Sequence, residues 1–216
     1  QEEQVHYFKA KKIPDVKLVI VSASLNEKLY RDYCRGRYIH YTDIPLVRYQ
    51  GRLIQYTAYS MSRSCIDDLG YETVKERIQK ITQEPDINWI TFKRFEKGKS
   101  IYFGKTEGFN RYKGQDLVVL GTPYNVPFMY QLIGQYLGYA QMGRMSVTKV
   151  EHNGYSFPIM TFKDPDMQNL QFHFMESELE QAIGRARLLR YPCTVYLFSN
   201  FPCRQAEIIQ DDYMIE

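Results

Sequence analysis

The segment Gln181-Ala182-Ile183-Gly184-Arg185-Ala186-Arg187 concentrates groups that can act on a phosphate. Gln181 and Arg185 are four residues apart and share one face of a helix. Gly184 between them permits close approach of another backbone. A guanidinium fork is the natural partner of a phosphoryl group that gathers charge during transfer. The same arginines would also serve a plainer end, complementing the dipole at a helix C-terminus. Around a straight helix Arg187 lies about 200° from Arg185. Both face one phosphate only if the helix ends or bends near Ala186, so Arg185 is the first candidate and Arg187 the second.

Other residues offer less. Gly104-Lys105-Thr106 looks like the end of a phosphate-binding loop, but the preceding glycine is Gly98. That spacing is one residue too long, and the intervening Ile101, Tyr102 and Phe103 are too bulky to cradle a phosphate. His6, His40, His152 and His173 have no spacing that suggests a metal or a triad. Glu151, Asp164 and Asp166 lack a matching Lys or His for nuclease chemistry. Asp211 and Asp212 read as a solvated tail. Arg31, Arg35, Arg37, Arg48 and Arg52 interleave with Tyr30, Tyr33, Tyr38, Tyr41 and Tyr49. That pattern suits a nucleic-acid backbone and its bases, or a solvated connector.

The elements that would position these groups follow from apolar patterning. Val16 to Val21 reads as a buried strand, and Asp86 to Phe92, Ser100 to Phe103, the fully apolar Leu117 to Leu120 and Cys193 to Phe198 read as strands. Tyr38 to Tyr41 and Leu46 to Tyr56 look extended, with Gln50-Gly51 as a turn or bulge. A helix capped near Ser24 or Asn26 follows the first strand. Ile66, Leu69, Val74, Ile78 and Ile81 recur at helical spacing, interrupted at Gly70. Pro127 to Leu137 is helical with proline in the first turn. A longer helix covers about Met167 to Leu189. Asn153-Gly154 joins Ser146–Glu151 to Tyr155–Phe162 as a two-residue hairpin. Apolar strands alternating with helices predict an α/β fold, a mainly parallel sheet with helices on both faces, carrying an inserted β-hairpin at about 146–162.

With these residues in place, a resemblance emerges. Gln181-x-x-Gly184-Arg185-x-Arg187 resembles motif VI of superfamily 2 helicases, in the form seen in Dicer-type enzymes. Many relatives carry a last arginine at the position of Leu188 here. Three further segments are similar to family motifs in the family's order. Ser22-Ala23-Ser24 resembles motif III, and Ile90-Thr91-Phe92-Lys93 resembles motif IV. Gly108-Phe109-Asn110, with Leu117 to Pro123, resembles motif V. The resemblance implies a second, C-terminal RecA-like lobe. It assigns 1–25 to the tail of the first lobe, 26–60 to a connector and 61–216 to the second lobe. It implies ATP and Mg2+ held mainly by the first lobe, arginine fingers at Arg185 and Arg187, and nucleotide-side contacts at Gln181 and Gly184. DNA or RNA would meet Gly108, Asn110, Thr122 and Lys93. With neither a Walker A loop nor an acidic Walker B, this chain alone is not expected to hydrolyse ATP.

Composition sets the outer limits. Hydrophobic residues at 44% and charged residues at 25% fit a water-soluble globular chain. A net charge of +3 permits a polyanionic partner without demanding one. No run approaches the ~18 apolar residues of a membrane span. The chain starts with Gln1, which suggests a segment of a longer protein, and no signal peptide is read. Four scattered cysteines, Cys34, Cys65, Cys193 and Cys203, fit a reducing cytoplasm better than a zinc site or disulfide framework, and no metal site is expected. A nucleic-acid-binding or scaffold module on a degenerate lobe, and a motor that translocates without unwinding, remain alternatives.

Overall fold

The computed structural model of the chain describes residues 7, 9, 11, 13–22, 24–95, 101–139 and 143–214. Residues 1–6, Ala23, Gly98 and Ser100, which figure in the expectations above, lie outside them. Among the described residues regular structure begins at Asn26, whose side chain accepts from the Leu29 N–H at 3.2 Å and starts α1 (Glu27–Tyr33). β1 (Arg52–Tyr56) follows, then α2 (Arg63–Leu69) and α3 (Tyr71–Thr82). Gly70 separates these two helices at φ 81°, as the interrupted apolar spacing requires. β2 (Asn88–Ile90) and β3 (Leu117–Leu120) precede α4 (Pro127–Leu137), which carries proline in its first turn. The hairpin β4 (Ser146–His152) and β5 (Tyr155–Thr161) leads into α5 (Pro165–Ile183), then β6 (Thr194–Phe198) and β7 (Glu207–Ile209).

The five strands outside the hairpin form one sheet in the order β2-β3-β6-β1-β7, and each pairing is parallel. Side chains alternate between its faces. Leu117 and Val119 of β3 join Leu53, Val195 and Leu197 against Met175, Leu179 and Ala182 of α5 and Phe157 and Ile159 of the hairpin. Val118 and Leu120 turn the other way, to Trp89 and Phe198 and to Ile66, Val74 and Ile78 of α2 and α3. All four β3 residues are fully buried, each contributing about 2 kcal/mol of gross transfer free energy. The fold is thus α/β, a parallel sheet flanked by helices on both faces with an antiparallel hairpin, as the alternation of patterns predicts. In the hairpin, Asn153 (φ 49°) and Gly154 (φ 81°) occupy the left-handed conformations of a type I′ turn. No helix among the described residues is long and apolar enough to cross a membrane.

Several expectations need correction. Val16 to Val21 form no strand: Val16, Leu18, Val19, Ile20 and Val21 are exposed, and no described strand pairs with them. Tyr38 to Tyr41 are likewise irregular, and of Leu46 to Tyr56 only β1 is strand. Ile101 to Phe103 are irregular too. Ile101 is buried, but the ladder is reduced to the Phe103 N–H on the Thr91 carbonyl at 3.1 Å. The helix expected to reach Leu189 ends at Ile183. The stretch taken as connector contributes β1 to the interior of the sheet. Its α1 docks on the body through Leu29, and Asn26 donates to Asn169 at 2.9 Å. Asp211 and Asp212 are exposed as expected, but the tail is also anchored. Asp212 accepts from the Tyr59 hydroxyl at 2.8 Å, and Tyr213 is buried on Tyr56 and Phe198.

Gly51 enters β1 where the chain crosses the approach to β6. Its N–H and that of Gln50 both donate to the Leu188 carbonyl, at 3.1 and 2.9 Å. A Cβ here would overlap the Cys193 carbonyl oxygen and sit 2.7 Å from that of Tyr191. Backbone atoms cannot yield as a flexible side chain can. Gly51→Ala should therefore lower the unfolding free energy by about 3 kcal/mol in urea denaturation. A midpoint equal to that of the parent would show that the approach is looser than this packing implies.

Candidate phosphate-binding site

β3 and β6 run in the same direction, so the residues just before them lie at one edge of the sheet. Asp116 leads into β3, and its carboxylate accepts the Thr194 N–H that opens β6 at 2.8 Å. The turn after α5 sits at this amino edge. Gly184 caps the helix, and Arg187 adopts φ 63°, a left-handed conformation that costs a residue with a Cβ about 1–2 kcal/mol. The helix therefore ends before Ala186, the condition under which both arginines can serve one ligand.

A long strap brings the second group of candidates to the same place. It starts at the carboxyl edge, where Phe103 bonds to Thr91, and passes along α5. There the Gly104 N–H donates to Glu178 Oε2 at 2.8 Å, and the Thr106 hydroxyl donates to Gln181 Oε1 at 3.4 Å. It finishes beside the arginine turn, where the Gly114 N–H donates to the Ala186 carbonyl at 2.9 Å. Within it Arg185 Nη1 donates to the Phe109 carbonyl at 3.1 Å, while Arg185 Nε donates to the Gln181 carbonyl at 3.0 Å. Arg187 Nη2 donates to Asn110 Oδ1 at 3.0 Å. Gln181, Gly184, Arg185, Arg187, Gly108 and Asn110 are thus neighbours, although more than 70 positions separate Asn110 from Gln181 in the chain.

Electrostatics at this corner favour an anion. Among the described residues no carboxylate forms an ion pair with either guanidinium. Burial holds the Arg185 guanidinium below its usual range, and repulsion from Arg187 adds to this, with Glu107 pulling the other way. An arginine remains charged under such pressure, so a phosphate arriving here would relieve it. Arg187, Gly108 and Asn110 are exposed and Arg185 is half-buried, which leaves the corner open to solvent.

Thr122 and Lys93 are not part of this cluster. Both follow their strands at the carboxyl edge, on the order of 10 Å of strand away. Thr122 is fully buried. Its hydroxyl lies 2.6 Å from the Ser199 hydroxyl and donates to the Ser60 carbonyl, and its N–H donates to the Met61 carbonyl at 3.1 Å. That network closes the sheet edge and leaves Thr122 no atom to offer a nucleic acid. Lys93 is exposed, with its ammonium 5.6 Å from the Tyr102 ring centre, and Lys105 approaches the same ring at 5.9 Å. Sequence reasoning missed Thr106, Glu178 and the Phe109 carbonyl. Thr106 was within reach, since it ends the rejected Gly104-Lys105-Thr106 segment. The carbonyl carries no side-chain signal at all.

Comparisons with protein-family models, with curated proteins and with solved structures found no match to this chain.

Arg187→Gly removes the left-handed strain together with the exposed contact to Asn110. Urea denaturation should show stability unchanged or raised by up to about 1 kcal/mol, because relief of strain offsets a weak surface bond. A loss of more than about 1 kcal/mol would mean that Arg187 is chiefly a structural clamp on the strap.

Proposed function

We propose that this chain serves as the second RecA-like lobe of a superfamily 2 helicase or translocase, placing Arg185 against ATP bound by a first lobe. The observation that carries the reading is the meeting of Arg185 and Arg187 with the Gly108–Asn110 loop at one corner of the sheet, with no carboxylate ion-paired to either among the described residues. Two segments remote in sequence that resemble motifs V and VI lie in contact there. No Gly-x4-Gly-Lys-Ser/Thr sequence occurs in the chain. Its residues accordingly suit the γ-phosphate side of such a site and not the magnesium.

In this mechanism Arg185 exchanges a bond to a neutral carbonyl for a charge-assisted bond to the phosphoryl oxygens, stabilising charge that builds during transfer. Arg187 adds a second cation, and Gln181 and Gly184 shape the nucleotide side. Gly108 and Asn110 would meet DNA or RNA, linking its presence to the arginines they touch, and Lys93 would extend the contact at the other edge. The apolar run at 16–21 suits a strand covered on both faces, which the first lobe would supply. The four free thiols, Cys34, Cys65, Cys193 and Cys203, suit a reducing cytoplasm.

One observation favours a non-catalytic binding module instead. Arg185 already uses Nε and Nη1 on the Gln181 and Phe109 carbonyls, which is how a purely structural arginine behaves. ATP hydrolysis by the protein that joins this chain to a Walker-bearing lobe separates the two readings, measured with and without single- and double-stranded nucleic acid. Stimulated turnover that falls about 10³-fold or more in Arg185→Ala is expected for the finger. A folded parent that hydrolyses no ATP under any of these conditions would leave the binding module.

A further inference from the structure

His152 ends β4 and is wedged under the hairpin rather than on its outer face. Its ring lies 4.7 Å from that of Phe201 and 5.3 Å from that of Phe172, centre to centre. Its Nε2 stands 3.8 Å from Glu176 Oε1 on α5, and neither atom makes a hydrogen bond. Arg204, from the segment between β6 and β7, brings Nε to 3.4 Å from the same carboxylate oxygen. Polar atoms buried at a seam without a hydrogen bond are uncommon, and here two of them face each other.

We propose that His152 makes the docking of the β4–β5 hairpin acid-labile: the hairpin is seated while the imidazole is neutral and lifts when it takes a proton. The hydrogen bonds that hold the hairpin elsewhere along the seam involve no titrating group. Asn153 donates to the Pro202 carbonyl at 2.9 Å, Asn200 to the Pro158 carbonyl at 3.0 Å, and Thr161 to Gln171 at 2.9 Å. The aromatic walls offer a cation no hydrogen-bond acceptor, and Arg204 both occupies Glu176 and repels a second positive charge. Burial is the largest cause holding the His152 pKa below its ordinary 6.5; Glu176 opposes it, and Arg204 adds a smaller push in the same direction as burial. A base whose pKa is depressed on docking contributes stability above its undocked value. That contribution falls as pH drops through 6.5 toward the docked value.

The other groups at the seam act separately. On α5, His173 is also pushed down by burial and adds acid sensitivity to the helix. Glu180 is pushed up by burial, so its protonation favours the folded state as pH falls and works against the release. Cys203, buried beside them, stays a thiol in this range. On the hairpin, Tyr155 stands opposite His152 in register and Glu151 is exposed. None of these needs the helicase reading to hold.

Amide hydrogen exchange of residues 146–161 in the whole chain, corrected for intrinsic rates, should lose protection between about pH 7.5 and about pH 5. The loss should be about tenfold for each pH unit by which the docked His152 pKa lies below 6.5. His152→Gln should flatten the response and His173→Gln should keep it. Arg204→Ala, which removes the opposing cation, should shrink it, and it decides the matter if His152→Gln does not fold. Protection that is constant with pH, that rises in acid, or that falls equally in His152→Gln and Arg204→Ala overturns the proposal.

Discussion

The site depends on how the chain turns from α5 into β6. A strand between two parallel neighbours must be entered from the same edge as both. β6 lies between β3 and β1, so the ten residues from Gly184 to Cys193 have to fit between the approaches to those strands. Two carbonyls fix them. Ala186 accepts from Gly114 on the β3 side, and Leu188 accepts from Gln50 and Gly51 on the β1 side. The helix is stopped short, Arg187 is driven into a left-handed conformation, and both guanidinium groups are turned toward the strap. Sheet order, the need for Gly51 and the pairing of the arginines share this one cause.

The strap makes the corner part of a larger unit. It touches the carboxyl edge at Thr91, α5 at Glu178 and Gln181, and the amino edge at Ala186. A helix in the same place would satisfy its own backbone. The strap instead places its carbonyls and amides where side chains of α5 can use them, which is why a main-chain atom of Phe109 meets Arg185. On the opposite end of α5, α1 and α4 build a separate small core around Leu29, Tyr130 and Phe162. α5 therefore carries the hairpin, the strap and the amino-terminal helix at once, and its buried residues spread over several faces.

Much of this was legible from local chemistry. Pro127 to Leu137 matches α4 residue for residue, the Asn153-Gly154 signal gave the hairpin, and the break at Gly70 divides α2 from α3. These features are decided within a few residues of themselves. What apolar runs could not convey is which partner covers them. Val16–Val21 and Leu117–Leu120 look alike in sequence, yet one is exposed and the other central. Ile101 is buried as its type suggests, but beneath the strap instead of in the sheet. β7 escaped because three residues beginning with Glu207 show no period, and Arg52 across the ladder balances that charge at 2.6 Å. At the site, Gln181, Arg185 and Arg187 were visible as types. Thr122 was misjudged because its hydroxyl meets a network assembled from Ser60, Ser199 and Asn200, far apart in sequence.

The uncovered run at 16–21 also bears on how the chain behaves in solution. Six residues with one charge, high β-propensity and no proline form the kind of segment that recruits copies of itself edge to edge. Lys17 is the one gatekeeper within it, and Asp15 stands just before it. A cover over this run would therefore act on solubility as well as on structure, separately from the folded α/β body downstream.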